Sequence, residues 1–536
     1  MKSNKPGRVR ISLLFTCCFF AALSANAQLT FQLTAGGTVD GHYSRVAIQT
    51  QDGGYLIGGQ TQLLDPGRND MCLVKLDANG DTMWTKIYGD MLTWEEPNKI
   101  IELADSSLMI CGTYYTNAST AQEIFLMHTD AAGAMLWCKS YGGNSDDYAP
   151  DFIQTSDGGF LLTGQTSSYV MQVMDLYMIK TNSTGDTLWT STIGGGNIEY
   201  GCLVAEMPGG GYLVAGQIKN GFTSPTDLLL VRLNTQGQVQ WSSSFGISYA
   251  TNPAGLVVFP DGSCVIGGSG NNPANNSTDY FLTKRDSLGE AVWSYYYGGA
   301  GIHDCFSMER CSDGGYALCG VTDNNTNTNW DGMLMKTDST GQLLWEHKYG
   351  GGMYDYFDGL SQTADNGFIL SGAKTGSNGL RALYIVKTDA AGNSLCNTYT
   401  LPLTSYSFLM QSVPVNLFRG YGGSPSNITF PMRGYIPVTT LCTNVGSSEN
   451  VMPQTDLQLF PNPAAQGESI QLGGNWMPGK PVQVQVSDVS GRLLLTQSYS
   501  GNERYITLPA AYAPGIYTIR VSQQGQFPGN FKWVVR

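Results

Sequence analysis

A tryptophan recurs at Trp84, Trp137, Trp189, Trp241, Trp293 and Trp345, in steps of 53, 52, 52, 52 and 52 residues. A turn motif recurs in phase with it: Asp52-Gly53-Gly54-Tyr55, Asp157-Gly158-Gly159-Phe160, Gly209-Gly210-Gly211-Tyr212, Asp313-Gly314-Gly315-Tyr316 and Asp365-Asn366-Gly367-Phe368. Looser copies stand at Asp105-Ser106-Ser107-Leu108 and Asp261-Gly262-Ser263. Seven copies of a unit of about 52 residues constrain the fold more than any composition does, because periods of this size belong to propellers and solenoids.

Each unit reads as four strands. In the first, 44–50 is a strand, Asp52-Gly53-Gly54 a hairpin turn, and 55–61 the returning strand. A variable loop leads to 71–77, Asn79-Gly80 turns the chain again, and 83–88 completes the unit. No unit holds a helical period long enough to cross between parallel strands. Antiparallel four-stranded units repeated radially predict an all-β chain, a seven-bladed β-propeller over 28–400. Linear β-solenoids normally have shorter coils. The run Thr30–Gly37 resembles a fourth strand and precedes the first complete unit, so it is expected to complete the last blade and remove an open edge. The competing candidate is 394–400, with Leu395 and Cys396 where the tryptophan belongs.

The leader predicts export. Lys2, Lys5, Arg8 and Arg10 precede an apolar stretch over 11–22 and an Ala25-Asn26-Ala27 cleavage site, so 1–27 reads as a signal peptide. No other stretch is long and apolar enough for a transmembrane helix. The leader carries four of the 29 basic residues and no acid, so its removal takes the net charge from −13 to −17. Such an acidic chain lacks the basic footprint of a nucleic-acid binder. Ten cysteines remain in an oxidising compartment, without C-x-x-C or a paired-His motif, so no metal site is expected. Most lie in apolar strand-like runs. Cys396 and Cys442 bracket a segment outside the repeats and are the candidate disulfide.

Three columns repeat with the tryptophans and have structural explanations. The indoles are large enough to dock blade on blade. Asp70, Glu123, Asp175, Asp227, Asp279 and Asp331, with Arg381 in the seventh place, precede the third strands and suit loop fixing through backbone N–H groups. Lys75, Lys180, Arg232, Lys284, Lys336 and Lys387, with His128 in the second unit, follow within those strands as solvated or paired cations. The stretch from Asp338 to Trp345 resembles the tryptophan-docking motif of quinoprotein propellers but is one residue short. The mature chain also lacks an adjacent cysteine pair, so neither a quinone nor any other cofactor is expected.

Function is expected where the repeat varies. The loops from each fourth strand to the next first strand hold His42 and Tyr43; Trp94, Glu95 and Glu96; Asp146, Asp147 and Tyr148; Glu199 and Tyr200; His303 and Asp304; and Asp355 and Tyr356, with Asp358 just beyond them. On a propeller they would ring one channel mouth with carboxylates and aromatics, the groups that accept sugar hydroxyls and stack on sugar faces. The expectation is a binding or adhesion scaffold for glycan or protein. Two alternatives remain: a glycan-acting hydrolase or lyase using paired carboxylates such as Glu95 and Glu96, and a structural surface-layer component. No nucleophile elbow, Walker loop, dinucleotide fingerprint, zinc-protease motif or histidine triad appears. No catalytic residue is assigned, and an enzyme is the less favoured reading.

After the repeats, 401–443 reads as an accessory β segment punctuated by prolines, and 444–456 as a polar linker. Residues 457–536 show many short alternating strands, the pattern of a small β-sandwich. They contain Phe460-Pro461-Asn462-Pro463, Asp488-Val489-Ser490-Gly491-Arg492, Pro514-Gly515-Ile516-Tyr517 and Lys532-Trp533-Val534-Val535 in order. This stretch resembles the type A C-terminal sorting domain of type IX secretion substrates, the Por secretion tail. The resemblance implies that the type IX machinery is a partner. It also implies passage through the periplasm of a Gram-negative bacterium, then release or attachment at the cell surface.

Overall fold

The computed structural model describes 28–36, 41–63, 68–89, 93–116, 121–169, 174–221, 225–246, 251–299, 301–323, 330–351 and 353–394 of the repeats. It then describes 398–399, 403–407, 413–414, 418–420, 426–428, 432–434, 436 and 438–444, followed by 458–460, 470–473, 482–488, 492–499, 505–508, 513, 515–523 and 526–535. The expected leader and Cys396 lie outside the described residues. Two compact units divide the chain, Met1–Gly446 and Ser447–Arg536. Among the described residues the regular structure is all β-strand.

The first unit holds seven antiparallel sheets of five strands each. Four strands of each sheet come from one repeat, as in Tyr43–Gln49, Tyr55–Thr61, Asp70–Leu76 and Thr82–Tyr88 of the first. In the seventh sheet the fourth place is taken by Thr30–Gly36, which pairs with Arg381–Lys387. Leu33 lies opposite Ile385 in that pairing.

The fifth strands all come from 398–444, in reverse order. Thr398–Tyr399 joins the sixth sheet, Thr404–Ser407 the fifth, Val413–Pro414 the fourth and Phe418–Gly420 the third. Ser426–Asn427 joins the second, Met432–Gly434 the first, and Val438–Asn444 the seventh. Read from the sequence as one accessory segment, this stretch is instead spread one strand to a sheet along the outer edges. Covering an edge removes a row of open N–H and C=O groups.

Apolar layers lie between successive sheets. Met109, Cys111 and Leu126 of the second pack with Phe152, Phe160 and Leu162 of the third. The last layer joins the seventh sheet to the first: Leu33, Ile369, Leu383 and Ile385 pack with Ala47, Ile57, Cys72 and Val74. Middle strands are covered on both faces, and Asp70–Leu76 is buried throughout. This explains why these strands read as near-continuous apolar runs rather than alternating ones.

The tryptophan column bridges sheets. A Cβ on Gly133, whose φ is 77°, would lie 3.1 Å from Trp84 Cη2, and the turn glycines Gly185, Gly237, Gly289, Gly341 and Gly392 meet Trp137, Trp189, Trp241, Trp293 and Trp345 in the same way. Phe31 takes this role against Gly80. Tyr88 donates to the Gly133 carbonyl at 2.5 Å, and Tyr141 to that of Gly185 at 2.6 Å.

The basic column ties turns within a sheet. Lys75, Lys180, Lys336 and Lys387 are buried and reach the turn carboxylates Asp52, Asp157, Asp313 and Asp365 at 2.8–2.9 Å. In the fourth sheet the turn has glycines instead of an aspartate, and Arg232 reaches the carbonyls of Gly210 and Leu233 at 2.8 and 2.6 Å. In the second, His128 Nε2 lies 2.9 Å from Ser107 Oγ.

The C-terminal unit has two antiparallel sheets, one of three strands and one of four. In the larger, Val482, Val484, Val486, Ile519 and Val521 are buried, and Val484 pairs with Val521. The intervening Gln483 is exposed. This alternation is that of a sheet with one covered face.

Candidate functional site

A cavity of about 700 Å³ is lined by the first strands of all seven sheets: Tyr43–Gln49, Thr93–Glu102, Asp147–Gln154, Ile198–Glu206, Thr251–Val258, His303–Arg310 and Asp355–Gln362. Register with the second strands aligns these seven residue by residue, since Gln49, Glu102, Gln154, Glu206, Val258, Arg310 and Gln362 each face the first residue of the returning strand. On that alignment the fourteen sequence candidates separate into layers.

His42, Glu95, Asp147, Glu199, His303 and Asp355 share one position, with Thr251 in the fifth sheet, and all are buried. They sit at the joints between sheets, beside the acidic column of the third strands. A side chain on Gly89 would run into both Asp70 and Glu95, one on Gly350 into Asp331 and Asp355, and one on Gly142 into Glu123 and Asp147. These glycines end or follow the fourth strands, and their bareness makes room for two carboxylates.

The joints differ in how those carboxylates are answered. Lys348 reaches Asp331 at 2.7 Å, and Lys374 reaches Asp355 at 2.8 Å. Asp147 accepts from Gly143 N at 2.8 Å and Ser168 Oγ at 2.7 Å, yet burial pushes its carboxyl up. Burial pushes Glu199 up to about 7, helped by Asp175. His303 accepts or donates at Thr322 Oγ1 through Nδ1 at 2.9 Å, and burial holds it down to about 4.

The next residue along each strand is Tyr43, Glu96, Tyr148, Tyr200, Asn252, Asp304 or Tyr356. Tyr148, Tyr200 and Asn252 line the cavity. Tyr43 Oη accepts from Asn69 Nδ2 at 2.6 Å. Tyr356 lies edge-on to Phe306 with centroids 6.4 Å apart. Asp304 accepts from Ser269 Oγ. Trp94 packs on Tyr115 at 4.7 Å, and the exposed Asp146 accepts from Gln122 N at 2.9 Å.

Sequence reasoning named Asp358 among the loop acids but missed the cation at the centre. Arg45 forms an ion pair with Glu96. Burial works against the Arg45 charge, but Glu96, Tyr148 and Asp358 outweigh it and raise its pKa. Burial lifts Asp358 to about 7; Arg45 opposes this, and Glu96 and Asp304 add to it. Tyr148 Oη reaches Asn98 Oδ1 at 3.4 Å. Further along the wall, Lys99 meets Asp151 at 2.5 Å, and Asp151 also accepts from Val204 N at 2.8 Å, joining three sheets. Glu309 accepts from Gln362 N at 2.6 Å, and burial brings it to about 7. The missing signal was position within the strand: four residues before the aligned end stand Arg45, Asn98, Pro150, Cys202, Ala254, Phe306 and Asp358, and only two of these seven are charged. Among the described residues no cluster of three or more metal-ligating side chains occurs.

One part of the chain has a clear counterpart. Residues 458–536 match the secretion system C-terminal sorting domain. This tail belongs to type IX secretion and directs the chain to the cell surface or the extracellular space. No curated protein matches the chain. Among solved structures it is similar to a fungal alcohol oxidase of the AA5 family in complex with copper. That likeness has a TM-score of 0.40 at 10% identity and covers 94% of this chain and 98% of the other. A likeness of that degree carries no argument about copper or alcohol oxidation here.

Proposed function

We propose that the seven sheets are the blades of a seven-bladed β-propeller, exported behind a signal peptide at 1–27, whose channel mouth binds a glycan. The ring reading is supported by the apolar layer that joins the seventh sheet to the first. It is also supported by Gln49, whose Oε1 accepts from Ala364 N of the seventh sheet at 2.6 Å. The same kind of link joins Glu102 to Gln51 N and Gln362 to Ser312 N, both at 2.7 Å.

The observation that carries the binding reading is Arg45 between Glu96 and Asp358, at the end of the cavity where Tyr148 and Tyr200 line the wall. A fixed guanidinium flanked by carboxylates offers donors and acceptors at hydroxyl spacing, and tyrosine faces suit the C–H surfaces of a sugar ring. The buried joint residues support the walls and do not touch the ligand.

A glycan-array screen of the mature chain 28–536 tests this, with Arg45→Ala, Tyr148→Ala, Trp94→Ala and Tyr356→Ala alongside. Loss of affinity by tenfold or more in Arg45→Ala and Tyr148→Ala is expected. Absence of glycan binding overturns the reading and leaves a protein ligand or a structural surface-layer role. Cleavage of a bound glycan that disappears in Asp358→Asn would make the protein a hydrolase or lyase, with Asp358 as the proton-carrying group.

A further inference from the structure

We infer that the joint between the first and second sheets holds a second binding site, a pocket for a single neutral sugar ring against the indole of Trp84. A cavity of about 250 Å³ lies there. It sits at the hairpin-turn end of the sheets, beside Thr50 and Asp52, whereas Tyr43 and Arg45 stand near the beginning of the first strand. Its lining residues and those of the larger cavity do not overlap. The inference therefore stands apart from the channel-mouth reading.

The repeat itself explains the space. In five units the returning strand begins with an aromatic residue: Tyr55, Phe160, Tyr212, Tyr316 or Phe368. Its ring packs on the fourth-strand aromatic of the preceding sheet. Tyr212 meets Trp189 with centroids 6.3 Å apart, Tyr316 meets Trp293 at 6.5 Å, Phe368 meets Trp345 at 5.9 Å, and Tyr55 meets Phe31 at 5.6 Å. Phe160 shares an apolar layer with Trp137. The fifth unit has Cys264 in this place, and Met207 of the fourth unit joins it against Trp241. The second unit has Leu108. Thr50 stands where Met207 does: Thr50 N donates to the Gly54 carbonyl and Met207 N to that of Gly211, both at 2.9 Å. These two positions therefore supply Trp84 with neither a ring nor a long side chain.

The lining suits a sugar. Trp84, Leu56 and Leu108 give apolar surface for ring C–H groups, and Asp52, Glu102 and Ser106 give oxygens for hydroxyls. Both carboxylates are already partly answered: Lys75 reaches Asp52 at 2.8 Å, and Glu102 accepts from Gln51 N at 2.7 Å. Each keeps lone pairs for further hydroxyl donors, while a ligand cation approaching Asp52 would meet the Lys75 charge. Ser106 holds a φ of 66° where Gly53, Gly158 and Gly314 hold 80–84°, so a hydroxyl stands in the pocket wall on backbone that favours glycine. Drug-sized ligands take pockets of about 300–1,000 Å³. This smaller cavity fits one ring rather than an oligosaccharide.

Saturation-transfer NMR of the mature chain with the methyl glycosides of glucose, galactose, mannose and N-acetylglucosamine tests this, in an Arg45→Ala background that silences the channel mouth. Leu108→Tyr restores the ring that other units carry. It should abolish the signal and leave the unfolding midpoint unchanged or raised. Glu102→Gln keeps the link to Gln51 N, as Gln362 does with Ser312 N at 2.7 Å. It should weaken the glycoside by roughly fivefold, the difference between a charged and a neutral acceptor. Absence of signal with every glycoside, an equal signal in Leu108→Tyr, or unchanged affinity in Glu102→Gln each overturns the inference. Transfer to n-butylammonium instead, blocked by Leu108→Tyr, overturns the sugar assignment in favour of a small cation. Glycan binding untouched by Arg45→Ala but lost in Leu108→Tyr would refute the channel mouth and support this pocket.

Discussion

The indole of Trp84 lies where a side chain on Gly133 would begin. A Cβ there would stand 3.1 Å from Trp84 Cη2 on a backbone whose φ is 77°. One contact thus sets both the turn chemistry of one sheet and the packing of the sheet before it. Gly133→Ala is expected to destabilise the protein by about 2 kcal/mol, from left-handed strain plus displacement of the ring. Trp84→Ala should cost about 2–4 kcal/mol. Denaturant unfolding of both variants and of the pair checks this. Because the two groups touch, the double variant should lose less than the sum.

The turn clamps have an acid limit. Asp52 and Asp157 are held down to about 2. For Asp52, the Lys75 and Thr50 hydrogen bonds outweigh burial; for Asp157, hydrogen bonds from Thr155 and Lys180 do so. A carboxylate lowered in the folded state contributes stability that is present above its unfolded pKa, near 3.8, and is lost as pH falls through about 2. Thermal melts should therefore show midpoint loss between pH 4 and pH 2. Asp157→Asn should flatten part of that loss.

Glu199 behaves in the opposite way. Its folded value of about 7 lies above the ordinary 4.5. Its contribution is therefore fully present below pH 4.5 and lost as pH rises through 7. Glu199→Gln removes a buried charge at high pH, so it should stabilise the protein at pH 8 by roughly 1–3 kcal/mol. Near pH 4.5 it should be close to neutral. Midpoints of the two proteins across that range, converging at the acid end, are the expected result.

Removing the C-terminal unit should leave folding of the repeats intact and block delivery. A chain ending at Gly446 is expected to accumulate in the periplasm, checked by fractionation and by protease accessibility of whole cells. Surface delivery at the full-length level would contradict the role of the tail.

Much of the architecture was legible because the repeat is written in side chains that each unit needs for itself. The tryptophan at a fixed phase, the turn glycines and the cation of the third strand recur because every sheet must dock and turn in the same way. Even the exceptions are locally readable: Arg232 stands where the turn offers carbonyls, and Lys75 where it offers Asp52. The candidate site was only half legible. The loops pointed to the beginning of each first strand, where Tyr43 and Glu96 stand. However, Glu95 and Glu96 are adjacent in sequence and differ in fate, one buried at a joint and the other paired with Arg45. The pleat sends neighbours to opposite sides, and loop composition does not record the phase.

By itself the sequence determined the seven units, their strands and turns, the sorting tail and the place of Thr30–Gly36, since these depend on periodicity and on residues close in the chain. Tertiary structure decided what depends on distant segments meeting. It set residues 398–444 along seven outer edges in reverse order, brought carboxylates from neighbouring units together over bare glycines, and placed Arg45 of the first sheet beside Glu96 of the second and Asp358 of the seventh. The partners of Arg45 stand about 50 and more than 300 residues from it in sequence, and no local pattern encodes such a meeting; it follows only once the sheets are packed face to face.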